Sequence, residues 1–228
     1  MKLLLSCEHG ENYIPKRFSP YFINKETTLQ SHRGFDIGAL DVFKYLKPLA
    51  NFTNYSETSR LLIELNRSLH HKNLFSKYSK SLLTSEKQYL IDSYYMVYRN
   101  AIENYILKNI QIGESILHLS VHSFTPVLDD VTRTCDIGLL YDSANSGESE
   151  FCKTLKSNIS IENPNLKIRF NYPYLGTADG FTTYLRKQFP ENYLGIEIEI
   201  NQKFARKNVI PSPLKHQLYS ALKSSLIK

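Results

Sequence analysis

Two histidines, each closing a short apolar run, are the residues of this sequence best suited to chemistry. His9 ends the run Lys2–Glu8, and His122 ends the run Ser115–Val121. Both runs predict buried strands, and in open α/β sheets ligands bind beyond the carboxyl ends of the strands. Because imidazole nitrogens at two strand ends can converge on one ion, we expect His9 and His122 to be metal ligands. A hydrogen-bonding role in a loop is the alternative for either histidine.

The third metal ligand has three candidates. Catalytic zinc takes three protein ligands and leaves one position to water, and carboxylate oxygen suits it as well as imidazole nitrogen. Asp36, Glu8 and Glu11 could each supply that oxygen. Asp36 precedes a predicted helix and would serve equally well as its N-cap. The residues alone therefore leave the third ligand open.

A third apolar strand, Tyr193–Ile200, carries Glu197 and Glu199 on one face, because side chains of a strand alternate with a period of two. Two close carboxylates repel, which raises the pKa of one of them. That carboxyl then suits a base that takes a proton from water. The alternative is that both glutamates bind an arginine or backbone donors, and the spacing does not choose between them.

Arg60, Asn66 and Arg67 bracket the segment Ser59–Asn66, which its apolar residues predict to be a second strand. A guanidinium beside an amide can bind and orient a carboxylate. A surface ion pair is the ordinary role of any one arginine. Several such groups near strand ends favour a functional site.

The remaining histidines and the cysteines indicate structure or surface rather than chemistry. His70 and His71 lie in a polar stretch and are expected on the solvated surface, whereas His118 alternates with leucines and is expected in the core. The three cysteines are far apart and form no CxxC pair, which excludes a disulfide framework and a thiolate zinc site.

Strand-like and helix-like segments alternate along the chain, which predicts a central, largely parallel sheet between layers of helices. The further predicted strands are Asp136–Tyr141 and Leu166–Phe170. The predicted helices are Ile37–Leu46, Glu86–Ile110, Glu148–Asn158, a short one capped by Asp179 and ending at Lys187, and a final one opened by Ser212-Pro213.

Composition predicts one α/β domain over residues 1–228. The apolar start of the chain is too short for a signal peptide and Glu8 follows it at once, so we expect a cytoplasmic protein without a membrane span. The net charge of +6 is spread thinly with no nucleic-acid recognition motif, which excludes nucleic acid as the expected partner. It suits a small anionic substrate.

Five segments, in order, resemble motifs of the N-formylglutamate amidohydrolases. They are Ser6–Pro15, Ser31–Ala39, Ser59–Arg67, His122–Pro126 and Glu197–Gln202. The family is related to the zinc carboxypeptidases and aspartoacylases. The resemblance therefore implies a three-layer α/β/α sandwich around a mixed sheet, zinc-carboxypeptidase-like, with one zinc ion per chain. It also implies hydrolysis of the amide bond of a small N-acyl amino acid such as N-formylglutamate, as in a deformylase.

The same resemblance assigns roles to residues of this chain. It implies zinc ligands at His9, Asp36 and His122, a general base at Glu199 with Glu197 supporting it, a carbonyl-polarising Arg60, and a substrate-carboxylate site at Asn66 and Arg67. A peptidase acting on short peptides and a non-catalytic relative that binds an anion are the alternative functions.

The chain departs from the pattern of these relatives in three places. Asn12 stands where the carboxypeptidase group has the glutamate of His-x-x-Glu, and Gly10-Glu11 replaces Gly-Gly, which keeps Glu11 as a rival ligand. The stretch Asn171–Gly180 resembles only one branch of the family and is expected to form a loop over the site.

Overall fold

The computed structural model describes residues 1–227, whose strands form one six-stranded sheet and one small hairpin. The strands are β1 (Lys2–Cys7), β2 (Phe52–Tyr55), β3 (Ile116–Phe124), β4 (Val127–Leu128), β5 (Val131–Thr132), β6 (Ile137–Leu140), β7 (Ile168–Phe170) and β8 (Tyr193–Asn201). The main sheet has the order β2-β1-β3-β8-β6-β7, and β4 pairs with β5. Only the β6–β8 pairing of the main sheet is antiparallel, so the predicted mixed, largely parallel sheet is confirmed.

Helices cover both faces of the sheet. They are α1 (Glu26–Leu29), α2 (Ala39–Leu46), α3 (Thr84–Leu90), α4 (Met96–Ile110), α5 (Ser146–Glu162), α6 (Phe181–Gln188) and α7 (Ser212–Leu226). Leu3 and Leu5 of β1 pack in the hydrophobic cluster with α2, α5 and α7, whereas Leu4 packs in a second cluster with α4 and α6. The period of two along β1 therefore separates two cores, and the predicted α/β/α layering is confirmed. No helix within residues 1–227 is long and apolar enough to cross a membrane.

The central strands are buried on both faces, which is why they read as continuous apolar runs. All nine residues of β3 are buried. In the register between β3 and β8, His122 lies beside Glu199 and Ser120 lies beside Glu197. The chemistry-bearing residues of these two strands are therefore neighbours at one edge.

The predicted strand Ser59–Asn66 is wrong, since this segment is a series of turns and the second strand is β2. Its apolar residues are nevertheless buried, among them Leu62 and Ile63. The backbone of the segment bonds to scattered partners, such as the Tyr13 carbonyl and the Leu74 carbonyl, instead of a strand ladder. An apolar run reports burial, and here burial comes from loop residues that pack under the helices.

Predicted and observed helices differ in their bounds; the helix predicted over Glu148–Asn158, for example, is the longer α5 (Ser146–Glu162). The helix predicted from Ile37 begins at Ala39, because Gly38 has a φ of 83° and interrupts the helical backbone. The helix predicted over Glu86–Ile110 consists of α3 and α4, joined by a π-helical turn at Ile91–Tyr95.

Candidate active site

A cavity of about 170 Å³ opens beyond the carboxyl ends of β1, β3 and β8. It contains all seven residues that the sequence analysis assigned to metal, catalysis or substrate: His9, Asp36, Arg60, Asn66, Arg67, His122 and Glu199. Residues of the 171–180 loop complete the wall, so this loop lies over the site as expected. The cavity therefore brings together groups from six separate parts of the sequence.

His9, Asp36 and His122 form a compact buried group at the bottom of the cavity. The Oδ2 atom of Asp36 lies 3.3 Å from Nδ1 of His9 and 2.8 Å from Nδ1 of His122. One ligand atom from each residue lies within 4.8 Å of the other two. Two imidazole nitrogens and one carboxylate oxygen are a donor set that catalytic zinc sites use.

Local backbone geometry turns Asp36 towards the histidines. Its amide donates to the His9 carbonyl over 2.9 Å, and its carbonyl accepts from the amide of Ala39. Two residues earlier, the backbone at Gly34 passes close to the backbone of Leu29. Only glycine fits there, because a Cβ atom at position 34 would lie 2.1 Å from the Leu29 carbonyl oxygen. Since Gly38 is the N-cap of α2, the carboxylate of Asp36 is not a helix cap.

Each histidine presents its other ring nitrogen to a buried carboxylate. His9 Nε2 contacts Glu64, and His122 Nε2 lies 3.0 Å from Glu8. A carboxylate on Nε2 fixes the ring, so that Nδ1, which contacts Asp36 in this structure, would supply its lone pair to a bound metal. The carboxylate of Glu8 also accepts from Tyr98, so Glu8 supports His122 instead of joining the three-residue group, and Glu11 does not join it either.

Glu64 is the residue that sequence reasoning missed. Burial by itself would raise the pKa of its carboxyl, but Arg60 and His9 outweigh that effect and hold the pKa well below its ordinary value. In the sequence, the one feature that pointed to Glu64 was its position two residues before Asn66. The interpretation of this segment as a strand gave Glu64 no particular role.

Glu199 is a buried carboxyl without a complete set of partners. Glu199 is only 5% exposed, and its Oε2 atom has no hydrogen-bond partner within residues 1–227. Burial, reinforced by the negative charges of Asp36 and Glu197, raises the pKa of Glu199 to about 8. A carboxyl that titrates near neutral pH can both accept and donate a proton during a reaction.

Arg60 links the two acidic groups that flank His9. Its Nε and Nη2 atoms donate to Glu64 over 2.9 and 2.7 Å, and its Nη1 donates to Asp36 over 3.1 Å. The guanidinium has five N–H groups, so these three bonds leave two donors for the cavity that it lines.

Asn66 and Arg67 hold the loop that covers the cavity. The side-chain oxygen of Asn66 accepts from the amide of Phe181 over 2.7 Å, and Arg67 Nη1 donates to the carbonyl of Asp179. The prediction that Asp179 caps the following helix is wrong. Gly180 is the N-cap of α6, and the Asp179 carboxylate accepts from Ser68 instead.

Arg99, a buried residue that does not line the cavity, supports the backbone at Arg67. The main-chain carbonyl of Arg67 accepts from the Tyr95 hydroxyl over 2.7 Å and from Arg99 Nη1 over 3.1 Å. The Arg99 guanidinium lies 4.2 Å from the ring centroid of Phe181 and 4.3 Å from that of Tyr184. The amphipathic pattern of a helix does not reveal such a contact, so the sequence analysis did not find it.

The other histidines lie outside the site. His118 is fully buried, and its ring nitrogens lie 2.7 Å from the hydroxyls of Ser6 and Tyr193, as expected of a core histidine. His70 is exposed and His71 is partly exposed on the loop that follows Arg67.

A family model described as N-formylglutamate amidohydrolase matches residues 1–205 of the chain. The chain belongs to the N-formylglutamate amidohydrolase family. The match spans every motif that suggested the resemblance, which is thereby confirmed.

Two solved bacterial structures have a fold similar to that of this chain. Gene product Atu2144 of Agrobacterium tumefaciens has 24% sequence identity and a TM-score of 0.80, with 98% of this chain and 91% of that chain covered. An N-formylglutamate amidohydrolase of Ralstonia eutropha JMP134 has 15% identity and a TM-score of 0.75, with 99% and 93% covered. A metallo-carboxypeptidase of Burkholderia cenocepacia aligns with 10% identity, a TM-score of 0.41 and coverage of 99% and 57%. No curated protein matches the chain.

Proposed function

We propose that this member of the family hydrolyses the amide bond of a small N-acyl amino acid and that the reaction depends on zinc. The observation that carries the proposal is the convergence of His9, Asp36 and His122 on one point beside the incompletely partnered carboxyl of Glu199. The family name supplies N-formylglutamate as the first compound to test.

His9, Asp36 and His122 would hold the metal. A zinc ion bound there supplies Lewis-acid chemistry, which polarises a carbonyl group and makes water more acidic. Glu64 and Glu8 keep the two imidazole rings oriented for that role. The donor set and its supporting carboxylates fit zinc, which supports the proposal independently of the family match.

Glu199 moves the proton in this proposal. Its carboxylate takes a proton from the water that attacks the acyl carbon, and the carboxyl then returns the proton to the amine nitrogen as the carbon–nitrogen bond breaks. The raised pKa of Glu199 suits both halves of this transfer, because neither protonation state is strongly favoured near neutral pH.

Two arginines bind and polarise the substrate. Arg67 forms no ion pair within residues 1–227, so its charge is available for the α-carboxylate of an amino acid, with Asn66 beside it. The unused donors of Arg60 can bond to the acyl oxygen as negative charge develops on it. These contacts orient the amide for attack.

The size of the cavity favours a small substrate over a peptide. Its volume of about 170 Å³ lies below the range of roughly 300–1,000 Å³ that is usual for sites of drug-sized ligands. Tyr174 and Leu175 of the covering loop form part of its wall. An N-acyl amino acid is therefore the class that the cavity suits best.

The experiment compares zinc-loaded wild type with Glu199→Gln on a panel of N-acyl amino acids and dipeptides. We expect hydrolysis of N-acyl amino acids and a loss of about 10²–10⁴-fold in kcat in the variant, with zinc content unchanged. Glu191→Gln removes an exposed glutamate outside the cavity and serves as the matched control. Full activity of Glu199→Gln, or cleavage of dipeptides alone, would contradict the proposal.

A further inference from the structure

Glu197 places a second carboxylate in the wall of the same cavity, two residues before Glu199 and on the same face of β8. One of its oxygens, Oε1, accepts from the Thr182 hydroxyl over 2.7 Å. Glu197 forms no ion pair with any lysine, arginine or histidine in the part of the chain that the structure describes. The cavity therefore contains a partly buried carboxylate that is paired with no cationic side chain of residues 1–227.

The two arginines that line the cavity differ in whether their guanidinium groups are already paired with carboxylates. The guanidinium of Arg60 is already paired with Glu64 and Asp36. Arg67 is the other arginine of the lining, and the partner of its side chain is a backbone carbonyl. Once Arg67 binds the α-carboxylate of a substrate, no unpaired arginine or lysine of the lining remains for a second carboxylate.

Gly180 lies between Glu197 and the carboxylate-binding pair. A Cβ atom on Gly180 would come within 3.3 Å of Glu197 Oε1 and 3.4 Å of the side-chain oxygen of Asn66. A Cβ atom here would be crowded by both side chains, so Glu197 and Asn66 lie close together on either side of Gly180, and all three residues line the cavity. An amino acid whose α-carboxylate is bound at Asn66 and Arg67 can therefore extend its side chain towards Glu197.

We propose that Glu197 selects the side chain of the substrate and that the preferred substrates are N-acyl amino acids with a basic side chain. This inference rests on the proposed function. A lysine or arginine side chain would form a charge-assisted hydrogen bond with the Glu197 carboxylate. The side-chain carboxylate of an N-acylglutamate would meet a like charge there, which lowers its affinity.

The test measures binding separately from turnover. In the zinc-loaded Glu199→Gln background, calorimetric titration compares N-formyl-lysine with N-formylglutamate. We expect the lysine derivative to bind at least about tenfold more tightly, and adding Glu197→Gln to bring the ratio of the two dissociation constants close to one. Adding Glu191→Gln instead should leave the ratio unchanged. The Glu197→Gln side chain keeps an oxygen that accepts from Thr182, and a thermal melt checks that the fold is retained.

Tighter binding of the glutamate derivative, an unchanged ratio in the Glu197→Gln variant, or no binding of either compound would overturn the inference. Wild-type activity provides the separate test of the proposed function. If the wild type hydrolyses neither compound nor any other N-acyl amino acid, the proposed function fails while the binding ratio still decides the role of Glu197. If it hydrolyses both with a preference for glutamate, the proposed function stands and the selectivity inference fails.

Discussion

At the scale of single residues, the site divides the two nitrogens of each histidine between two tasks. The Nδ1 atoms of His9 and His122 face Asp36, and the Nε2 atoms face Glu64 and Glu8. A proton held on Nε2 by a carboxylate leaves the lone pair of a neutral imidazole on Nδ1. We therefore expect the supporting carboxylates to affect metal affinity, although neither belongs to the three-residue group.

Glu64→Gln tests that division of tasks. The amide keeps the size of the side chain but removes the charge that orients His9, so we expect zinc affinity to fall by about 10–100-fold. Competition with a chromophoric chelator measures the affinity, and Glu191→Gln provides the control. Equal zinc affinity of Glu64→Gln and wild type would show that Glu64 does not support the metal site.

At the scale of elements, the sequence was most informative where regular strands end. β1, β3 and β8 carry His9, His122 and Glu199 to one edge, and their apolar runs made that placement predictable. The segment 59–67 was harder, because its buried apolar residues resemble a strand while its backbone turns. Arg60 and Asn66 were therefore identified by residue type, whereas Glu64, whose contact depends on the turns, was not.

Asp36 illustrates the same limit. Its place beside the histidines depends on a backbone bond to His9 and on the close approach of Gly34 to Leu29. A single backbone hydrogen bond and a single close approach leave no periodic pattern in the sequence. The residues alone therefore left Asp36, Glu8 and Glu11 open as the third ligand. The family resemblance was needed to choose Asp36.

Arg99 of α4 provides a further prediction at the scale of elements. Arg99→Lys removes the planar guanidinium that bonds to the Arg67 carbonyl and stacks on Phe181, and lysine does not replace both contacts. We expect KM for an N-acyl amino acid to rise about tenfold with a smaller change in kcat, because in the proposed function Arg67 binds the substrate carboxylate.

Arg17→Lys is the matched control, since Arg17 is exposed and lies 4.5 Å from the ring centroid of Tyr89, far along the chain from Arg67. Steady-state kinetics of both variants, with thermal melts, distinguish positioning from stability. A fall in stability of Arg99→Lys with unchanged KM would show that Arg99 serves the fold alone.

At the scale of the whole molecule, the sheet that carries the site also buries a titratable group in its centre. Burial lowers the pKa of His118 to about 4, from about 6.5 for an unperturbed histidine. The folded state therefore binds a proton less readily than the unfolded state does. The stabilisation from neutral His118 is complete above about pH 6.5 and is lost as the pH falls through 4.

The difference in pKa corresponds to about 3 kcal/mol of unfolding free energy that His118 contributes to the pH dependence. In His118→Gln this part of the acid dependence should disappear, although the variant is less stable at pH 7. Denaturant unfolding between pH 4 and 7, with a chelator present throughout, measures it, and exposed His216→Gln is the control. Parallel pH profiles for His118→Gln and wild type would contradict the assignment.

The most direct test of the central claim is the zinc content of the purified chain and its variants after dialysis. We predict about one zinc ion per chain in the wild type, in Glu199→Gln and in His70→Ala, the last being a control at an exposed histidine. His9→Ala, His122→Ala and Asp36→Asn should each lose the metal while thermal melts show a folded chain. A wild type without bound metal, or zinc retained in all three variants, would contradict the account.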